Sequence, residues 1–130
     1  MRRIRRRGGE GLQVGIDLVE VARLEHLVEE WGDRFKKRVF TDREIAFCET
    51  VKNKYQSYAC RFSAKEALLK AIGTGLSHGV RWKDMEVVDD GRSIPGFALE
   101  GRVAELVGKR GVSLSLSHTS KYAAAVVIVR

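Results

Sequence analysis

The segment YQSYACRFSAKEALLKAI, Tyr55 to Ile72, constrains this chain more than any other. It runs without glycine or proline until Gly73 stops it, so it predicts one long helix with a glycine C-cap. At about 100° per residue, Tyr55, Tyr58, Phe62, Leu69 and Ile72 share one face, the stripe that must be buried. Glu66 and Lys70, four apart, lie side by side at its edge. Lys65 falls within the stripe and is expected to extend its ammonium outwards. Ala59 and Ser63 are small residues beside Glu66 and Lys70, and they leave room for another molecule.

The rest of the chain supplies partners for such a helix. LQVGIDL predicts a strand from Leu12 to Leu18, followed by a helix from Val19 to Trp31 whose apolar residues are Val21, Leu24, Leu27, Val28 and Trp31. DRFKKRVF is a short basic turn or helix. TDRE is a capping box, with Thr41 at the N-cap and Glu44 three positions on, opening a helix to about Thr50. MEVVDDGRSIPGFALEG reads as two strands joined by a turn at DDGR. RVAELVGKRG reads as a short helix closed by Gly111. SLSLSHTSKYAAAVVIV reads as a hairpin turning between His118 and Lys121. These elements imply an α+β fold, a mainly antiparallel sheet packed against the long helix.

With 44% hydrophobic and 32% charged residues in 130, the composition is globular, and residues 11–130 are expected to form one domain. No apolar run approaches a membrane span, and a soluble cytoplasmic protein without a membrane partner is expected. The net charge is +7, of which five arginines and one glutamate put +4 in residues 1–10. That extension is expected to be disordered, so the high charge is weak evidence for nucleic-acid binding. Cys48 and Cys60 lack metal or CxxC spacing and are expected to be reduced and packed.

Glu66 and Lys70 alone form an ordinary helix pair contributing about 0.3 kcal/mol. Two features favour a site. Gly73-Thr74-Gly75 offers backbone N–H groups to an anion, although a plain helix stop explains Gly73 alone. Asp17, set among Val14, Ile16, Leu18 and Val19, is either on an exposed face or needs a partner. One carboxylate from a strand and one from a helix suit magnesium, which takes one or two carboxylates, waters and phosphate oxygens. His118 and Thr119 at the hairpin turn can reach a ligand, against the reading of a plain polar turn. His26 and His78 are expected to be solvated. No Ser–His–Asp arrangement emerges.

Taken together and in order, GIDLVEVARLE, RFSAKEALLKAIGTG and LSLSHTSKYAAAVVI resemble the signature regions of the single-domain bacterial 4′-phosphopantetheinyl transferases, the holo-acyl-carrier-protein synthases. The resemblance spans about Val14 to Val129. It implies that coenzyme A is the substrate and that 4′-phosphopantetheine is transferred, with magnesium, to a serine of an acidic acyl carrier protein, releasing adenosine 3′,5′-bisphosphate. It implies a place in fatty-acid biosynthesis and a homotrimer with sites between subunits. By the same resemblance, Asp17 and Glu66 are the metal ligands, and Glu66 orients or deprotonates the serine. Lys70 neutralises the leaving phosphate. Arg61 and Lys65 serve coenzyme A phosphates or local structure, Gly73 and Gly75 let the backbone approach the nucleotide, and His118 and Thr119, with Lys52 or Lys54, bind the 3′-phosphate. Arg23, Arg34 and Arg38 form a docking surface for the carrier protein. The basic extension departs from the family pattern.

Two other classes compete. A nucleic-acid-binding module would use the arginine extension, but aromatics do not interleave with the basic residues. A non-catalytic interaction domain leaves Asp17, Glu66 and Lys70 unexplained.

Overall fold

The computed structural model describes residues 2–4, 11–89 and 94–130. Most of the basic extension and the turn expected at DDGR lie outside them. Strand β1 (Gln13–Glu20) leads into helix α1 (Val21–Trp31), then α2 (Asp33–Val39), α3 (Asp42–Thr50) and the long α4 (Lys54–Ile72). A 3₁₀ turn at Trp82–Asp84 precedes β2 (Met85–Val88) and β3 (Gly96–Leu99). Helix α5 (Gly101–Val107), β4 (Val112–His118) and β5 (Tyr122–Val129) complete the chain. One sheet has the order β1-β5-β4 and the other pairs β2 with β3, every pairing antiparallel. The fold is α+β, as expected.

Helix α4 is the axis of the molecule. β1 and β5 cover one side, and α1, α3 and β2 contact it elsewhere. It is therefore buried nearly all round, with Tyr58 to Lys65 and Ala67 to Leu69 continuously enclosed. The single apolar stripe is too narrow a description. Ala59 and Ser63, expected to leave room for a ligand, are both 0% exposed: their smallness admits neighbouring elements of this chain instead. Lys65, expected to reach outwards, is wholly interior.

Gly15 sets the contact between β1 and α4. A Cβ built there would stand 1.9 Å from the carbonyl oxygen of Ala67 and 2.7 Å from the amide nitrogen of Ala71. Only glycine lets the strand lie this close to the helix backbone. Ala123 and Ala125, both buried, supply the same low profile on β5. Two boundaries differ from expectation. Val19 and Glu20 stay in the strand because they pair in register with Ala123 and Tyr122, so α1 starts at Val21. Helix α5 ends at Gly108, whose N–H bonds the Ala104 carbonyl at φ 63°, rather than at Gly111. The capping box is present: Thr41 N–H donates to Glu44 Oε1 at 2.8 Å and Glu44 N–H to Thr41 Oγ1 at 3.3 Å.

Candidate active site

Alternation along β1 puts Gly15, Asp17 and Val19 on the face toward α4 and Val14, Ile16 and Leu18 on the other. Asp17 thereby meets the α4 turn that carries Glu66 and Lys70. Lys70 Nζ lies 3.0 Å from Asp17 Oδ1 and donates to the Ile16 carbonyl at 3.1 Å. Asp17 is thus partly buried with a partner, which settles the alternative left by the sequence. Glu66 is half-buried and, among the described residues, accepts no hydrogen bond. Burial pushes its carboxyl above the usual carboxylate range and the Asp17 charge adds to this, while Lys70 and Arg23 oppose. Two carboxylates and two cations therefore sense one another across β1, α1 and α4.

This donor set can hold a small hard cation. Among the described residues no group of three or more His, Cys, Asp or Glu side chains could form an all-protein metal cage. Magnesium needs none, because waters and phosphate oxygens fill its remaining positions. A half-buried carboxylate with raised proton affinity beside a second carboxylate gains most from such an ion.

The glycine turn has a more restricted role than the sequence suggested. The N–H groups of Gly73 and Thr74 are spent on the C-cap, donating to the Leu69 carbonyl at 2.9 and 3.2 Å. Gly73 and Gly75 have φ of 79° and 55° with open space where a Cβ would stand. Glycine is needed there for the left-handed backbone and leaves the turn low toward solvent. Of the three N–H groups, only that of Gly75 has no internal acceptor among the described residues.

A second group of expected residues gathers around a cleft of about 460 Å³. Lys52, Arg61 and His118 line it, with Gln56 and Ser57. Arg61 is 3% exposed, donates to Ser57 Oγ and the Asp89 carbonyl, each at 3.0 Å, and stacks on Phe47 at 4.5 Å. Its Nε is buried with no hydrogen-bond partner among the described residues. Thr119 is one step removed: its Oγ1 accepts from the N–H groups of Lys121 and Tyr122 at 3.1 and 3.0 Å, so its oxygen builds the turn that presents His118. Of the two lysines, Lys52 lines this cleft. Lys54 faces a neighbouring one of about 370 Å³, near Glu49 at 3.5 Å and over Tyr55 at 5.3 Å.

Lys65 belongs to neither. Its Nζ lies 2.6 Å from Glu44 Oε1 and 2.7 Å from the Val39 carbonyl oxygen. Glu44 Oε2 accepts from the Val87 N–H at 2.8 Å. Of the two roles left open for Lys65, phosphate contact or local structure, the geometry carries the second: it ties α4 to α3, α2 and β2. Glu44, already engaged in the α3 capping box, is the partner a buried lysine needs, but nothing local to either residue shows in the sequence that they meet.

Arg34 and Arg38 flank a groove of about 540 Å³ with Leu27, Trp31 and Phe35. Arg23 stands apart from that groove, within electrostatic reach of Glu66. Trp31, expected to be buried on the α1 stripe, is 52% exposed. On the outer face of the sheet Val14, Ile16 and Leu18 are 55%, 64% and 66% exposed. Cys48 and Cys60 are buried and free, and burial pushes the Cys60 thiol up to about 11. Among the described residues no helix is long and apolar enough to cross a membrane.

Residues 13–127 match the profile of the 4′-phosphopantetheinyl transferase superfamily. The holo-[acyl-carrier-protein] synthase of Solibacter usitatus is 47% identical over 118 residues, 88% of this chain and 94% of the relative. That of a Geobacter species is 45% identical over the same shares. Among solved structures, the holo-[acyl-carrier-protein] synthase of Helicobacter pylori in complex with coenzyme A superposes with a TM-score of 0.80 at 30% identity, covering 90% of this chain and 99% of that one. The Bacillus anthracis enzyme in complex with CoA (3′,5′-ADP) gives 0.75 at 33% identity, covering 90% and 94%.

Proposed function

The chain belongs to the holo-acyl-carrier-protein synthases of the 4′-phosphopantetheinyl transferase superfamily, and on that premise we propose that it transfers 4′-phosphopantetheine from coenzyme A to a serine of an acidic apo acyl carrier protein. The observation that carries this is Glu66: a half-buried carboxylate with raised proton affinity, facing Asp17 and flanked by Lys70 and Arg23. A merely structural glutamate in that position would be hydrogen-bonded, as Glu44 is.

The transfer makes a bond from the serine oxygen to the β-phosphorus of coenzyme A and breaks the bond from that phosphorus to the bridging oxygen. Adenosine 3′,5′-bisphosphate leaves with the bridging oxygen. No protein nucleophile is required, which matches a site of carboxylates and cations. Asp17 and Glu66 would hold magnesium, which neutralises pyrophosphate charge when bound. Glu66 faces the incoming serine and takes up its proton. Lys70, 54% exposed at its side chain, swings from Asp17 to the leaving phosphate. Arg61, Lys52 and His118 give the second cleft the donors for the nucleotide's 3′-phosphate, the unpartnered Arg61 Nε among them. Such catalysis is mainly positioning and charge neutralisation.

Arg23, Arg34 and Arg38 receive the acidic carrier, with Trp31 and Leu27 offering apolar contact between the charges. The bare outer face of β1 is covered by further copies of the chain in a homotrimer. The protein works in the cytoplasm, in fatty-acid biosynthesis. Incubation with coenzyme A, magnesium and an apo carrier protein, followed by intact-mass measurement, should show the phosphopantetheine increment on the carrier. Its absence across several carriers would overturn the proposal.

A further inference from the structure

Arg38 borders two grooves. On one side it joins Arg34 and Trp31, and on the other a groove of about 420 Å³ lined also by Lys37, Arg81 and Lys83. Leu76, Val80 and Trp82 complete the second groove, and among the described residues no carboxylate lines it. Among the described residues Lys37, Arg38 and Lys83 form no ion pair. Arg81 is paired: its Nε and Nη2 each lie 3.4 Å from Asp84 Oδ1, with its side chain 74% exposed. Lys83 also borders a cleft containing Asp42, Glu86 and Glu100 on its far side without pairing to any of them. Leu76 is 53% exposed, while Val80 is buried and Trp82 is fixed by stacking on Phe62 at 5.2 Å. The groove therefore combines an apolar floor with a rim of four cations, of which Lys37, Arg38 and Lys83 have no carboxylate partner among the described residues.

We propose that this groove is a second docking surface for the acidic carrier protein, continuous through Arg38 with the groove beside Trp31. Carboxylates of the carrier would sit between Lys37, Arg38, Arg81 and Lys83, and an aliphatic side chain would cover Leu76. Charge complementarity selects this occupant: a rim of one sign with an apolar floor fits an acidic amphipathic segment, and rim charges of this kind act on association. The inference rests on the carrier protein being the acceptor.

The test is steady-state kinetics of the full chain with coenzyme A and apo carrier protein at several salt concentrations. Lys37→Glu and the double variant Lys37→Glu/Lys83→Glu are compared with Lys109→Glu, a reversal in the loop after α5. The double variant should raise the carrier KM about tenfold and flatten its salt dependence, as loss of rim steering does. The KM for coenzyme A and kcat should stay as in the wild type, Lys37→Glu alone should give a smaller rise in the same direction, and Lys109→Glu should give none. An unchanged carrier KM in both groove variants, or an equal rise with Lys109→Glu, overturns the second surface. Wild-type failure to modify any carrier defeats the transferase reading itself and is told apart by the wild-type assay alone.

Discussion

Lys65 and Glu66 are adjacent on α4 yet stand in opposite conditions. The Lys65 ammonium is 0% exposed and held by Glu44 and the Val39 carbonyl. Glu66, about 100° further round the helix, emerges at the margin of β1 and takes no hydrogen bond among the described residues. Burial lowers the lysine's proton affinity with Glu44 opposing, and raises that of the glutamate with Asp17 adding to it. A charge that is fully satisfied specifies packing. One left unsatisfied at a surface edge is available to a ligand.

The sharpest way to break the contrast is to remove the Glu66 charge. Glu66→Gln should lower transfer by roughly 10²–10⁴-fold, the usual weight of an acid–base group, while circular dichroism stays native. Its thermal stability should match or exceed the wild type at neutral pH. The sign follows from the raised pKa: the folded state penalises ionised Glu66, and that penalty is complete above the folded pKa and gone once both states are protonated. The advantage of Glu66→Gln should therefore shrink as pH falls from the raised folded pKa to the ordinary carboxylate value. Retained activity would sink the assignment.

The opposite behaviour is expected next door. Lys65→Met strands Glu44 in the interior and should cost about 3–5 kcal/mol in denaturant unfolding. Adding Glu44→Leu should restore part of it, whereas no recovery would mean that the two side chains are not coupled. Gly15→Ala tests the surface that aligns both residues. With a Cβ at 1.9 Å from the Ala67 carbonyl oxygen, overpacking should cost about 1–3 kcal/mol and reduce kcat as Asp17 is pushed from α4; a wild-type melting temperature would refute that close approach. Arg23→Glu, exposed on α1, should leave stability alone and raise the carrier KM by up to about tenfold, more than the coenzyme A KM; equal effects on both would argue against docking there. Deleting residues 1–10 should change neither stability nor transfer, and a loss of transfer would bring the basic extension into the site.

Much of this was legible because local chemistry wrote it. The length of α4 and its Gly73 stop follow from an uninterrupted run and a left-handed cap, and the Thr41–Glu44 box from a spacing that satisfies helix N–H groups within four residues. Asp17, Glu66 and Lys70 were legible as candidates because a strand carboxylate and a helix Glu–Lys pair are unusual partners, and the structure brings the three together. Ala59, Ser63 and Lys65 were misread for one reason. Helical periodicity describes a helix with one buried side, whereas α4 is enclosed on nearly all sides, so small residues admit neighbours and a lysine meets a glutamate 21 positions away.

The sequence by itself determined the element order, the antiparallel α+β class, the free cysteines and the residue types of the candidate site, all of which depend on near neighbours and composition. Only the tertiary structure decided which charges are silent. It paired Lys65 with Glu44, spent the Gly73 and Thr74 amides on a helix cap, and left Glu66 and Arg61 Nε without hydrogen-bond partners among the described residues. The physical reason is that satisfaction of a buried charge is a long-range property, set by which distant segments arrive beside it.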